Sequence, residues 1–157
     1  MPPFAEGLSL QNERTSTIDD TWKPVWGTHA VIRNHANELT VTLEEKNAPS
    51  RTLEFIVRVY DEGVGFRYSI PAQAGMGKFK LASERSEFHF PPEQSVWAAD
   101  YGSFRSRQET EFIRTKISEI NPGTIIGCPL LVQLDDVWIL REMIVTRESK
   151  SFSVWIG

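Results

Sequence analysis

The acid that most needs a purpose in this sequence is Glu142. It lies in VWILREMIV, residues 137 to 145, where Arg141 and Glu142 stand side by side among apolar neighbours. An ionised group is costly to bury unless it is paired, hydrogen-bonded or bound to a metal. Successive side chains of a strand point to opposite faces. Glu142 therefore falls with Trp138, Leu140 and Ile144, and Arg141 with Val137, Ile139, Met143 and Val145. The two charges cannot readily neutralise each other. Two readings stay open: Glu142 meets a basic residue elsewhere or water at a sheet edge, or it is held for a hard cation such as calcium, which takes oxygen ligands. A strand apolar on both sides is normally covered on both sides.

The second feature is TWKPVWG, residues 21 to 27, with Trp22 and Trp26 on either side of Pro24. Paired indoles can stack on sugar rings. They can equally anchor a stiff entry segment to the protein body, because large aromatics are usually buried for their apolar area, and that anchoring is the expectation here. His29, His35 and His89 are scattered without metal-ligand spacing and read as surface or structural histidines. Gly63-Val64-Gly65 lacks a third glycine and a following helix, so it reads as turn geometry rather than a phosphate cradle. Glycoside hydrolysis needs two carboxylates across a sugar, and the spacing of the acids identifies no such pair. No catalytic residue is assigned.

The elements that must position these residues are strands. ELTVTLE alternates with Leu39, Val41 and Leu43 on one face. LEFIVRVY and VGFRYSI flank Asp61-Glu62-Gly63 and read as a hairpin. KFKLA and EFHF are short strand candidates. A second hairpin is expected at Asp135-Asp136, joining PLLVQL to VWILREMIV, and SFSVWIG alternates again. ETEFIRTKISEI suits a helix by the spacing of Ile113, Ile117 and Ile120 and a strand by its β-branched residues, and periodicity does not decide between them. Many short strands between turn signals indicate an all-β antiparallel sandwich or barrel.

The chain has 157 residues, enough for one domain with a sizeable core. Its net charge of -4 comes from interspersed charges, which excludes the clustered Lys and Arg that phosphate backbones require, so nucleic acid is not an expected partner. No apolar run approaches the roughly 18 residues of a membrane span. MPPFAEGLSL has neither a basic nor a continuous apolar region, so no signal peptide is visible and the compartment stays open. Cys128, the single cysteine, reads as a buried structural thiol.

TWKPVWG, IRNHANELTV, RVYDEGVGFRYSIP, VWAADYG and TKISEI occur in an order that resembles the N-terminal domain of glycoside hydrolase family 97. The resemblance covers about residues 17 to 145, and TWKPVWG and DEGVGFRY are its most specific parts. It implies a β-super-sandwich of galactose-mutarotase type, with residues 1–16 as an N-terminal extension and 17–157 as a sandwich incomplete at its C-terminal end. It further implies a calcium-dependent α-glucosidase or α-galactosidase whose acid and base lie on a separate catalytic (β/α)8 barrel, commonly exported to the periplasm. In that family the sandwich packs on the barrel and gives one glutamate to its calcium. WILREM matches that setting, with Glu142 at the ligand position and Arg141 where the family has His. The chain alone is then not an enzyme, and its carbohydrate partner is an α-glucoside or α-galactoside met through the whole enzyme. Two rivals carry weight. One is a standalone carbohydrate-binding module stacking sugars on Trp22, Trp26 or Trp97. The other is an enzyme of mutarotase type, which would need a His and a carboxylate within reach of each other in one cleft.

Overall fold

The computed structural model describes residues 7–74, 76–81, 83–105 and 109–141, and the backbone of 143–147 and 152–156. It divides into two compact units, residues 1–79 with 144–157 and residues 80–143.

The first unit is a six-stranded sheet. Its strands are β1 (Leu8–Trp22), β2 (Ile32–Glu45), β3 (Thr52–Val59), β4 (Val64–Ser69), β9 (Met143–Arg147) and β10 (Phe152–Ile156), in the order β1-β2-β3-β4-β10-β9. The alternation seen in the sequence sets its register. Leu39 pairs with Val57 and Val57 with Phe66, while Val41 pairs with Phe55 and Phe55 with Tyr68. One face thus gathers these apolar residues, and the rings of Phe55, Phe66 and Tyr68 lie with centroids 5.4 to 6.1 Å apart. On the other face Ala36, Thr40 and Ile56 are buried, next in register to the Arg58–Glu38 pair. The expected hairpin is present, with the Tyr60 N–H donating to the Gly63 carbonyl across Asp61-Glu62.

Where β2 leads into β3, Glu45 and Arg51 are both buried and face each other. The Arg51 Nε and backbone N–H both donate to Glu45 Oε2, at 2.7 and 3.1 Å, and its Nη2 donates to Oε1. That satisfies the carboxylate, which the guanidinium hydrogen bond holds below its ordinary pKa. A buried charge is tolerated when it is paired in this way.

The second unit is a four-stranded sheet in the order β6-β5-β7-β8, with β5 (Ser95–Ala98), β6 (Ile113–Lys116), β7 (Leu130–Leu134) and β8 (Val137–Arg141). Val96 and Val132 pair across β5 and β7 and are fully buried, with Phe90, Ile117, Ile120 and Ile126 packed against them. The second hairpin also forms, and Asp135 takes the positive φ of 50° that its tight turn requires.

Several expectations need correction. KFKLA and EFHF are not strands; each is short and lies beside a Pro- or Gly-rich break, with no partner strand fixed by a turn. ETEFIRTKISEI is divided, giving β6 and then a single 3-10 turn, Ile117–Glu119. The Glu119 carboxylate closes that turn by accepting from the Lys116 N–H at 3.0 Å and the Thr115 hydroxyl at 2.8 Å. VWILREMIV is not one strand. Its described residues form β8, Val137–Arg141, and part of β9, Met143–Arg147, which belong to different sheets. The segment set apart as residues 1–16 supplies the first half of β1, from Leu8 onward.

Candidate functional surface

The four-stranded sheet has two unlike faces. Val96, Val132 and Ile139 lie in register on the core side. Trp97, Leu131 and Leu140 are in register on the opposite side, which they share with Arg114 and Trp138. The indoles of Trp97 and Trp138 meet with centroids 5.1 Å apart and planes tilted by 55°. The Arg114 guanidinium carbon stands 5.0 Å from the Trp97 ring centre, within reach of a cation–π attraction. Arg114 Nη2 also donates to Ser95 Oγ at 3.4 Å.

This face is open. Trp138 is 48% exposed and Leu140 53%, and Val137 and Ile139 on the other side of β8 are exposed too. β8 is an edge strand with β7 as its neighbour, and among the described residues no strand pairs with its outer side. Single exposed apolar residues are ordinary on protein surfaces, whereas a contiguous group of them marks a contact site.

Arg141 ends β8 on the core side. Its Nη1 donates to Cys128 Sγ at 3.2 Å and its guanidinium lies 4.6 Å from the centre of the Phe88 ring. Cys128 is exposed, not the buried thiol expected from its apolar flanks. Cys128 lies between Gly127 and Pro129, just before β7 begins at Leu130. Glu142, the expected calcium ligand, lies outside the described residues. Among the described residues, no three His, Cys, Asp or Glu side chains come together as a metal site.

Of the three tryptophans singled out, Trp97 belongs to the aromatic face just described. Trp22 and Trp26 lie in the other unit, at the end of β1 and in the loop that follows. They do not anchor that loop: Trp22 is 52% exposed, Val25 99% and Trp26 87%. Pro24 and Gly27, with a φ of 129° at the glycine, turn the chain there and leave the indoles outside. Beside them Arg33 grips Asp19 through two hydrogen bonds of 2.7 Å, which hold the Asp19 carboxyl below its ordinary range. The histidines are exposed, as expected. His89 meets Glu87 at 3.2 Å on an exposed surface. Sequence reasoning missed Arg114 and the pairing of Trp138 with Trp97. Only the strand register brings them together, and no local spacing signals it.

No helix among the described residues is long and apolar enough to cross a membrane. In fold, the chain is similar to a variant of a glycoside hydrolase family 97 enzyme from Pseudoalteromonas sp. strain K8, at 19% identity and a TM-score of 0.73. That match covers 99% of this chain and 28% of the enzyme. A structure of a family 97 enzyme from the same strain in complex with acarbose matches at 19% identity and a TM-score of 0.71, with the same coverage. A β-arabinopyranosidase matches at 22% identity and a TM-score of 0.72, over 96% of this chain and 27% of that one. The chain thus spans little more than a quarter of the length of these enzymes. The family described as Glycosyl-hydrolase 97 N-terminal matches residues 3–146. With that match spanning nearly the whole chain, and two antiparallel sheets of the kind the resemblance implied, the chain belongs to the glycosyl-hydrolase 97 N-terminal family.

Proposed function

We propose that this chain is the non-catalytic N-terminal domain of a calcium-dependent α-glycosidase, α-glucosidase-like in its substrate. It packs on a catalytic (β/α)8 barrel through the Trp97–Trp138 face. The observation that carries this reading is the exposure of β8 over a closed core: Trp138 and Leu140 stand open beside the half-buried Trp97 and Leu131, while Val96 and Val132 are fully buried. An uncovered apolar face centred on an aromatic pair is what a domain contact uses as its core. The short share of each family 97 enzyme that this chain spans supports a domain whose neighbour carries the chemistry.

Calcium takes six to eight oxygens, and one carboxylate cannot supply them. The described residues do not build such a site by themselves. We assign Glu142 as a single ligand contributed across the contact, at the point where the chain leaves β8. Arg141, committed to Cys128 and Phe88, faces away from that role. When bound, the ion would supply positive charge beside the scissile bond. This chain's part is to hold one oxygen in place.

The test is association, by calorimetry, of this chain with a separately produced family 97 catalytic domain, with and without calcium. Trp138→Ala is expected to weaken association by about 30-fold or more, as loss of a central anchor does. Glu142→Gln is expected to remove the calcium dependence and leave the calcium-free affinity unchanged. Association untouched by Trp138→Ala would overturn the docking face.

A further inference from the structure

Arg114 is a charged side chain set beside an aromatic pair. It stands opposite Trp97 in the β5–β6 register, and Lys116 stands opposite Ser95 on the same side of the sheet. The two cations are handled differently. Lys116 Nζ donates to Glu93 Oε2 at 2.7 Å, so its charge is met within the chain. Among the described residues, no carboxylate lies within ion-pair distance of Arg114. It is held instead by the Trp97 ring, whose centre is 5.0 Å from its guanidinium carbon, and by Ser95 Oγ, 3.4 Å from its Nη2. An indole face and one long hydrogen bond fix where the guanidinium lies. They leave most of its N–H donors to water, and the residue is exposed.

A partner that covers Trp97 and Trp138 must also cover a cation 5.0 Å from the Trp97 ring centre. Taking a guanidinium out of water is costly unless an opposite charge meets it. Its planar fork matches a carboxylate through two parallel hydrogen bonds. Resting on the docking face proposed above, we propose that Arg114 is the specificity-determining charge of that contact, and that the catalytic domain presents an aspartate or glutamate side chain to it. Trp97 and Ser95 hold the fork on the apolar face before the partner arrives, which lowers the cost of ordering the ion pair. A main-chain carbonyl would accept one N–H and leave the charge uncompensated, so the cation calls for a carboxylate.

The experiment measures, by calorimetry at low and high salt, the association of a separately produced family 97 catalytic domain with this chain, with Arg114→Met and with Arg114→Lys. Arg114→Met keeps an apolar stem and removes the charge. At low salt it should weaken association by about tenfold or more. Arg114→Lys keeps the charge, loses the planar fork and should fall between the two. The parent should weaken as salt rises, and the gap between it and Arg114→Met should narrow, because ions screen an attraction between charges. Arg114 is exposed, so its replacement should leave the far-ultraviolet circular dichroism unchanged, and that spectrum checks the fold. Association that Trp138→Ala weakens and Arg114→Met leaves unchanged would overturn the carboxylate while the docking face stands. A gap of the same size at both salt concentrations would mean a neutral acceptor and would overturn it too. Association that neither substitution weakens removes both readings, so the failure of this assignment is distinguishable from the failure of the docking face.

Discussion

At the scale of single residues, the charges in this chain fall into two groups. Glu45 and Arg51 are buried and satisfy each other, so their value is structural. The hydrogen bond from Arg51 depresses the Glu45 pKa below its ordinary 4.5. A carboxyl with a depressed folded-state pKa adds stability above its unfolded pKa and loses it as the pH falls through the folded value. Urea denaturation at a series of pH values should therefore show stability falling with acid below about pH 4.5. Glu45→Gln should be less stable at neutral pH and flatter over that acid range; a variant with the slope of the parent would remove Glu45 from the acid response. Glu142 is in the other group: the calcium-ligand role proposed for it rests on the resemblance of WILREM to the family's ligand setting.

Among the elements, the parts legible in the sequence were those with a strict period and a marked turn. Leu39, Val41 and Leu43 announced β2, and Asp61-Glu62-Gly63 and Asp135-Asp136 announced the two hairpins. The first strand was invisible for a physical reason. Its residues from Gln11 to Thr17 are polar and exposed, so no apolar alternation marks it, and a register shift between Leu10 and Asn12 disturbs what pattern there is. It is a strand because β2 pairs along it, a tertiary effect that local propensity does not report. The aromatic face was half legible: alternation placed Trp138 with Leu140, but only the β5–β7–β8 register brings Trp97 beside them. The same register buries Val132 against Val96, and Val132→Ala should cost about 2 kcal/mol in urea denaturation. A loss below about 0.5 kcal/mol, typical of surface changes, would mean that the β5–β7 core is not closed as described.

At the scale of the whole molecule, this is an all-β chain that leaves several aromatic residues exposed among the described residues. Val96 and Val132 close one unit, while Glu45 and Arg51 secure the join of two strands in the other. The exposed residues of β8, Val137 to Leu140, are apolar. The division of labour proposed here places bond cleavage in a neighbouring barrel and leaves positioning to this domain. Hydrolysis by the purified chain of p-nitrophenyl α-glucoside and p-nitrophenyl α-galactoside, with calcium present, tests that division most directly. No release of p-nitrophenol above the uncatalysed rate is expected from either substrate. Sustained turnover that is abolished by changing a residue within this chain would contradict it.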